Sequence, residues 1–293
     1  MEVIDQPSVH PVAIVTGASS GIGLEYAREL CSRGYDVVMV SNEEERLTRC
    51  AGELSQMYEV QTWPLYMDLS LPDAAEHLHG FCVALGLQVE VLVNNAGMFR
   101  FEHIVNLSVG VVQTMLMLHM NTVVLLCRYF GEDMRKRGKG YILNMSSMSA
   151  WFPYPGISLY ASTKCFLKSF SRAFRLEMLD YGVNVTTVCP GAIATDLYNL
   201  PLHLQRLAVR IGVMMKPATL ARRAINGMFC HRAQMIPGVI NYFFIGFLFF
   251  LPYGVVRWMI RKVKRAIENE KNVWIGSNNI LNYEKKRIQI QSM

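Results

Sequence analysis

A tyrosine and a lysine four residues apart could move a proton together. Tyr160 and Lys164 lie in a segment with helical periodicity, so their side chains are expected on one face of a helix. The pKa of a free tyrosine is about 10, too high for easy proton exchange at neutrality, but a nearby ammonium favours the phenolate. The pair therefore predicts a group that donates a proton to a carbonyl oxygen or accepts one from an alcohol. Taken alone, the same spacing is also that of an ordinary helix face.

A glycine-rich turn near the start of the chain could hold a phosphate group. Residues 16–23 read Thr-Gly-Ala-Ser-Ser-Gly-Ile-Gly, between a predicted strand and a predicted helix. Glycines let the backbone turn tightly and approach a pyrophosphate, and the helix N-terminus offers free N–H groups and a favourable dipole. The spacing is Gly-x-x-x-Gly-x-Gly, which differs from the commonest dinucleotide fingerprint. The context favours a dinucleotide-binding turn over a plain tight turn.

Apolar runs of strand length alternate with helical segments along most of the chain. This alternation predicts an α/β fold with a doubly wound parallel sheet of about seven strands and helices on both faces. Pro64 argues for an irregular or edge position of the third strand. The expected strands are 12–16, 36–40, 60–69, 89–97, 140–147, 183–191 and 233–238. The expected helices are 21–33, 43–57, 72–85, 107–136, 158–181 and 217–231, with an irregular lid at 192–215.

The motifs, taken in order, resemble those of the short-chain dehydrogenase/reductase family. The resemblance covers about residues 10–238. The matching motifs are TGASSGIG (16–23), NNAG (94–97), Asn121 in a long helix, Ser147, Tyr160-x-x-x-Lys164 and Pro190-Gly191. Ser147 precedes Tyr160 by thirteen residues, as the family pattern requires, and this spacing decides for Ser147 over its neighbour Ser146.

The resemblance implies a Rossmann-type fold and hydride transfer between a nicotinamide cofactor and a ketone or secondary alcohol. In the family, Tyr160 would exchange the proton, Lys164 would also bind the nicotinamide ribose, and Ser147 would steady the substrate oxygen. Asn121 would hold a water that links Lys164 to solvent.

Further positions would contact the cofactor if the resemblance holds. The NNAG segment, including Asn94, would line the cofactor cleft. The expected cofactor-binding residues are Gly17, Ser19, Ser20, Gly21, Ile22, Gly23, Ser41, Asn42, Asp68, Asn95, Ala96, Gly97, Tyr160, Lys164, Pro190, Gly191 and Thr195. No metal site is expected, because the seven histidines show no metal-ligand spacing.

The end of the second strand usually decides between NAD and NADP. A carboxylate there bonds the ribose 2′-hydroxyl, whereas an arginine accepts the 2′-phosphate. This chain has Ser41 and Asn42, so neither decisive residue is present, and Glu43, Glu44 and Glu45 follow. Three carboxylates would disfavour a doubly charged phosphate if they face it, so the pattern leans toward NAD.

Composition excludes several classes of protein. The 293 residues are 52% hydrophobic and 18% charged, which excludes intrinsic disorder. Residues 257–293 hold 9 basic and 3 acidic residues, so the whole net charge of +6 lies in this segment. A nucleic-acid binder would spread its basic residues over the folded body, so no nucleic acid is expected. The seven cysteines include no Cys-x-x-Cys pair and are expected to be reduced, buried thiols of a cytoplasmic protein.

The C-terminal part combines an apolar segment with a basic one. Residues 233–256 contain no charged residue, and residues 239–251 include five phenylalanines. Exposing such side chains would cost roughly 1.5–3 kcal/mol each, so something must cover them. The run is shorter than the ~20 residues of a spanning helix. Monotopic insertion into an anionic leaflet is one interpretation; burial near the substrate mouth, in the protein's own fold or against a partner subunit is the other.

Together these features predict three parts and a function. A catalytic domain (1–238) would be followed by the apolar and basic segment (239–265) and a polar tail (266–293). Leucines of the expected lid and residues 239–251 favour a lipophilic substrate, a long-chain keto-lipid ahead of a steroid. A cofactor-sensing membrane protein without catalysis is the alternative from another class. The expected location is the cytoplasm, on the cytoplasmic face of a membrane if the basic segment docks there. Members of the family commonly form dimers or tetramers.

Overall fold

The computed structural model describes most of the first 238 residues and a few positions beyond them. The described residues are 10–151, 155–194, 206–207, 209–210, 214–238, 241, 254–255, 257–258 and 261–262. By contacts between Cα atoms, the chain divides into a unit of residues 1–245 and a second unit of residues 246–293. The expectations for Thr195 and for the tail at 266–293 lie outside the described residues.

A parallel sheet forms the centre of the first unit, as the alternation of apolar runs predicted. Its strands are β1 (Val12–Thr16), β2 (Asp36–Ser41), β3 (Thr62–Tyr66), β4 (Val89–Asn94), β5 (Gly140–Met145), β6 (Val183–Val188) and β7 (Gln234–Met235). Their order across the sheet is β3-β2-β1-β4-β5-β6-β7. β3 is an edge strand and Pro64 pairs only with Met39 of β2, which confirms the edge position.

Helices cover both faces of the sheet because successive strand residues point to opposite sides. The helices are α1 (Gly21–Cys31), α2 (Glu44–Tyr58), α3 (Ala74–Ala84), α4 (Val109–Leu116), α5 (Thr122–Arg137), α6 (Ser158–Met178) and α7 (Pro217–Phe229). On one face, Val15 and its neighbours pack with residues of α1, α2 and α7. On the other face, Ile14 and its neighbours pack with residues of α3, α5 and α6.

The strand order creates a crevice beside β1. The chain leaves β1 through α1 to reach β2 on one side, and later returns through β4 on the other side. In open α/β sheets, ligands bind at such a switch point, outside the carboxyl ends of the strands. The loops after β1 and β4 are therefore the expected walls of a ligand site.

The helix predicted at 107–136 is interrupted by one wide turn. α4 and α5 are joined by a π-helical turn at Met117–Asn121. Among the described residues, the stretch Val109–Arg137 is the one helix long and apolar enough to cross a membrane, and its most apolar 18-residue window has a mean hydropathy of 1.7. Leu126 and Phe130 on its inner face are buried against the sheet, while 28% of its most apolar window is buried. Packing on the sheet thus accounts for one face of this helix.

The two ends of the segment 192–215, which is expected to form a lid, lie side by side. Ile193 forms a parallel bridge with Met215. The backbone N–H of Ala194 donates to the Met215 carbonyl, and the Met215 N–H donates to the Ala192 carbonyl, each over 3.0 Å. The two ends of the segment are therefore fixed to each other directly after β6.

Candidate active site

A cavity of about 500 Å³ lies at the carboxyl ends of the central strands. The predicted site residues that line it are Gly17, Ser19, Ser20, Gly21, Ile22, Gly23, Ser41, Asn42, Asp68, Asn95, Ala96, Gly97, Ser147, Tyr160, Lys164, Pro190 and Gly191. Glu43, one of the three carboxylates noted after the second strand, also lines it, and lining residues that the sequence did not single out include Met98, Thr114, Leu118 and Ile193. The structure therefore brings the glycine turn and the Tyr–Lys pair to one cavity.

The glycine turn has the backbone geometry that its sequence predicted. Gly17 and Gly21 have positive φ angles of 68° and 54°, which glycine adopts without strain. A Cβ atom on Gly23 would lie 1.9 Å from the Gly17 carbonyl oxygen, so only glycine fits there. α1 begins at Gly21 with no acidic residue in its first turn. The free N–H groups of this turn therefore form a cradle suited to an anion.

The side chain of Thr16 ties the glycine turn to the end of β4. Its Oγ1 donates to the Val93 carbonyl over 3.2 Å and accepts from the N–H groups of Asn95 (2.9 Å) and Ala96 (3.0 Å). The Asn95 amide donates in turn to the Thr16 carbonyl over 2.9 Å. These bonds fix the two loops that face each other across the crevice.

Asn94 does not line the cavity, although the family motif includes it. It is the last residue of β4, and its side chain points into the core, where Nδ2 donates to Asn144 Oδ1 over 2.8 Å. Asn95 follows the end of β4, and its side chain donates to the Thr16 carbonyl at the glycine turn. Asn95 and the two residues after it supply this wall.

A carboxylate faces the cavity at the end of β2. Glu43 Oε2 accepts a hydrogen bond from Ser19 Oγ over 2.9 Å, and Ser41 Oγ donates to Ser19 Oγ over 2.9 Å. Glu43 lines the cavity, whereas Glu44 and Glu45 begin α2 and are not among its lining residues. Arg46 lies 3.7 Å from the Glu43 carboxylate but is not among the lining residues either.

Asp68 also lines the cavity, and its side chain caps a turn that includes Ser70. Its Oδ1 accepts from the N–H of Ser70 over 2.9 Å and from Ser70 Oγ over 2.7 Å. Asp68 is exposed, Leu69 is buried, and both line the cavity.

Tyr160 and Lys164 share one face at the start of α6, as their spacing predicted. Lys164 is buried, its Nζ donates to the Met145 carbonyl over 2.9 Å, and the Nζ lies 5.6 Å from the centroid of the Tyr160 ring. Burial lowers the pKa of Lys164 to about 8, because the ammonium has left water without gaining a carboxylate partner. Phe99 packs edge-to-face on Tyr160 with ring centroids 5.0 Å apart.

The two serines after β5 have different surroundings. Ser146 is buried and its Oγ donates to the Lys164 carbonyl over 2.7 Å, so it holds α6 against the strand. Ser147 is partly exposed and lines the cavity, and its Oγ accepts from the N–H of Ser149 over 3.1 Å. Both serines line the cavity, but the Ser146 proton is used by the Lys164 carbonyl, so Ser147 stays the predicted residue.

The expectation for Asn121 has to be corrected. Asn121 is exposed and is not among the residues that line the cavity. His119 lies within the π-helical turn and is fully buried, whereas Asn121, the last residue of the turn, is exposed. Burial and the nearby charge of Lys164 hold the pKa of His119 well below its usual range. The available signal was a single histidine in an apolar helical run, but nothing in the sequence announced the wide turn.

The segment after β6 completes the wall. The N–H of Met148 donates to the Pro190 carbonyl over 2.9 Å, which holds Pro190 and Gly191 beside Ser147. A Cβ atom on Gly191 would lie 3.2 Å from the Met148 sulfur and 3.1 Å from the Asn241 amide, so a larger residue would crowd this wall.

Comparison with known proteins assigns the chain to a family. The family described as short chain dehydrogenase matches residues 11–200. The very-long-chain 3-oxoacyl-CoA reductase-A of Danio rerio is 35% identical over 196 residues, which are 65% of this chain and 60% of that protein. The very-long-chain 3-oxoacyl-CoA reductase of Anas platyrhynchos is 30% identical over 89% of this chain and 82% of that protein. The chain thus spans about 60% of the length of the first of these relatives.

A solved structure agrees with the same assignment at the level of the fold. A short-chain dehydrogenase from Sphingobium yanoikuyae in complex with NADPH superimposes with a TM-score of 0.71 at 24% identity. The match covers 88% of this chain and 95% of that protein. The family match covers well over half of the residues and includes the glycine turn, Ser147, Tyr160 and Lys164. The chain therefore belongs to the short-chain dehydrogenase family.

Proposed function

We propose that the protein is a nicotinamide-dependent oxidoreductase that interconverts a ketone and a secondary alcohol on a long-chain lipid. The observation that carries the proposal is the convergence of Ser147, Tyr160 and Lys164 on the same cavity as the glycine turn. A non-catalytic cofactor sensor would need the turn but not this proton-transferring set.

The cavity suits a dinucleotide. The glycine turn lets the backbone come close to a pyrophosphate, and the N–H groups at the start of α1 favour its charge. Asn95, Ala96 and Gly97 would line the other side, and Lys164 would bind the ribose beside Tyr160. When bound, the nicotinamide would supply or take up the hydride.

The chain itself supplies the proton and the orientation. The Tyr160 hydroxyl donates a proton to the substrate oxygen as that oxygen gains negative charge during reduction. The Ser147 hydroxyl donates a hydrogen bond to the same oxygen while its own oxygen accepts from the N–H of Ser149. The Lys164 ammonium lies beside the phenol ring and favours the phenolate that remains. In the oxidation direction the same groups take the proton from an alcohol.

The charges at the cavity favour NAD over NADP. Among the described lining residues, the charged side chains are Glu43, Asp68 and Lys164, and Lys164 serves the catalytic end. Glu43 is held toward the cavity by Ser19, at the strand end where a carboxylate bonds the ribose 2′-hydroxyl. A 2′-phosphate would meet this carboxylate, and like charges at close range are unfavourable. The short-chain dehydrogenase from Sphingobium yanoikuyae that binds NADPH is only 24% identical, so its cofactor does not carry over to this chain.

The long-chain substrate is supported by the relatives and by the apolar surroundings of Tyr160. The two relatives carry the name very-long-chain 3-oxoacyl-CoA reductase. Met98 and Leu118 line the cavity, Phe99 packs on Tyr160, and Phe101 is 57% exposed nearby in sequence. An apolar chain would bury surface against such residues and gain about 25 cal/mol per Å².

A screen of substrates tests the activity. NADH and NADPH oxidation would be followed with 3-ketoacyl-CoA esters of increasing chain length and with ketosteroids. We expect turnover to rise with chain length and to exceed that of any ketosteroid. Tyr160→Phe should lose turnover while it keeps cofactor affinity, and Tyr181→Phe, an exposed tyrosine away from the cavity, should keep both. Wild-type turnover retained by Tyr160→Phe would refute the proposal.

A charge reversal tests the cofactor. Glu43→Lys should raise the ratio of kcat/KM for NADPH to that for NADH by at least about 10-fold, which corresponds to about 1.4 kcal/mol. Glu45→Lys makes the same charge change at an exposed position outside the lining and should leave the ratio near the wild-type value. Equal responses of the two variants would contradict the role of Glu43.

We further propose that the basic segment docks on the cytoplasmic face of a membrane. Arg257, Trp258, Arg261 and Lys262 are exposed and helical, and the Lys262 ammonium lies 4.8 Å from the centroid of a Trp258 ring. Cations beside an aromatic ring suit an anionic leaflet. The full chain should sediment with vesicles that contain phosphatidylserine at low salt and release at high salt. If it stays in the supernatant at low salt, this location is wrong.

A further inference from the structure

A buried histidine, His119, links the loop after β4 to helix α6 at the proposed site. His119 is fully buried in the π-helical turn at Met117–Asn121. Its ring lies 5.8 Å from the Tyr160 ring, centroid to centroid, at an angle of 76°. A Cβ atom on Gly97 would lie 3.1 Å from His119 Nε2 and 3.7 Å from Lys164 Nζ, so both side chains approach the backbone of Gly97. π-helical turns often occur at functional sites.

The hydrogen bonds of His119 have only one consistent direction. The backbone N–H of Met98 donates to His119 Nε2 over 2.9 Å, and an N–H can only donate. Nε2 is therefore the unprotonated nitrogen, and the ring proton lies on Nδ1. Nδ1 is 2.9 Å from Thr163 Oγ1, to which it donates. The Thr163 hydroxyl then donates its own proton to the Tyr160 carbonyl over 2.8 Å.

This direction requires a neutral imidazole. A second ring proton would place an N–H of His119 against the N–H of Met98, with no acceptor between them. The Lys164 ammonium is the nearby cation, and it opposes a second positive charge in the same buried region. The charge state and the hydrogen bonds thus agree.

We propose that His119 is a positioning residue, neutral and protonated on Nδ1, that holds the loop of Gly97 and Met98 against the helix turn of Tyr160. The inference rests on the proposed function, since it assigns His119 a part in setting the distance between the cofactor wall and the proton donor. It does not touch the reacting atoms itself. Small displacements of reacting groups lower rates by up to about 100-fold.

Three substitutions separate the two ends of the hydrogen-bond chain. His119→Phe keeps the ring and removes both nitrogens. His119→Asn can place an amide donor near the position of Nδ1 and keep the bond to Thr163, whereas His119→Gln can place an acceptor near Nε2 and keep the bond to Met98. His79→Phe is the matched control, because it removes a half-buried histidine bonded to Asp133 over 2.8 Å, away from the cavity.

Kinetics of the full chain with a long-chain 3-ketoacyl-CoA give the first result. We expect His119→Phe to lower kcat by about 10- to 100-fold, with KM for the ketone changed less than kcat. His119→Asn and His119→Gln should each recover part of that loss, and His79→Phe should keep the wild-type kcat. Wild-type kcat in a folded His119→Phe, or an equal loss of kcat in all four variants, would overturn the proposal.

Nuclear magnetic resonance of the ¹⁵N-histidine-labelled chain gives a second result that does not depend on activity. The His119 signals, identified by their loss in His119→Gln, should show the Nδ1–H tautomer unchanged between about pH 6 and 9, well away from the usual titration of histidine. The Nε2–H tautomer, or a titration within this range, would overturn the hydrogen-bond direction and with it the proposal. If the wild-type chain reduces no ketone with either cofactor, the proposed function fails and the positioning role fails with it, whichever tautomer is found.

Discussion

Replacing Lys164 by methionine should make the protein more stable and inactive. Lys164 is buried, and burial lowers its pKa from 10.5 to about 8. At about 1.36 kcal/mol for each pKa unit, holding the ammonium in the folded protein costs about 3 kcal/mol. Lys164→Met removes this cost and also leaves the Met145 carbonyl without its donor, a loss of about 1 kcal/mol. The expected net gain in the free energy of unfolding is about 2 kcal/mol at pH ~7.

The pH dependence of this gain follows from the direction of the shift. The folded state binds the lysine proton more weakly than the unfolded state, so wild-type stability rises as the pH rises from about 8 toward 10.5. The advantage of Lys164→Met is therefore complete below the folded pKa and declines above it, reaching roughly zero near pH ~9.5. Groups that do not interact with Lys164 titrate alike in both proteins and cancel in the comparison.

Urea unfolding of wild type and Lys164→Met at pH ~7 and at pH ~9.5 measures the effect. Lys168→Met is the matched control, because this lysine lies one turn further along α6 with its ammonium 4.1 Å from the centroid of the Trp151 ring. It should lose about 0.5–1 kcal/mol at either pH. A Lys164→Met protein that is less stable than wild type at neutral pH, or whose difference is the same at both pH values, would refute the reasoning.

Three further outcomes are expected. Thr16→Val should lower the free energy of unfolding by about 2–4 kcal/mol, because two partly buried N–H groups lose their acceptor. Thr16→Ser keeps the hydroxyl and should lose less than half of that in urea unfolding. Gly23→Ala should abolish the quenching of protein fluorescence by NADH, because its Cβ would lie 1.9 Å from the Gly17 carbonyl oxygen. The control Gly80→Ala, which has open space in α3, should keep NADH binding and raise the free energy of unfolding by about 0.5–1 kcal/mol. Brief treatment of the native protein with iodoacetamide should modify Cys165 and Cys230, the two exposed cysteines, before the five buried ones, as peptide mass spectrometry would reveal; early modification of a buried thiol would contradict the packing.

Strand and helix positions were predictable because the residues that are buried are apolar and recur at the period of each helix or strand. β1, β2 and β4 are mostly apolar and almost completely buried, since both faces of a parallel sheet are covered, and that pattern predicted the fold class. Pro64 marked the edge because a missing N–H is tolerated only there. These features depend on local composition, which is visible without knowing any long-range contact.

The directions of individual side chains at the site were less predictable. Asn94 and Asn95 are identical residues, but the first ends β4 and bonds Asn144 in the core, whereas the second follows the strand and lines the cavity. The facing of Glu43 toward the cavity depends on Ser19, a partner 24 residues away. His119 was hidden for a different reason, because the wide turn that directs it inward is a departure from helical periodicity.

The wide turn between α4 and α5 also fixes the rotation of everything that follows it. Each residue of a regular helix rotates the next side chain by about 100°. Shortening Met117–Asn121 by one residue would restore regular winding, but Leu126 and Phe130 could then no longer face the sheet while His119 still pointed toward Gly97. A tolerated deletion in this helix would consequently need a compensating insertion within the same turn, and chains of other lengths here would be expected to differ at the inward polar position.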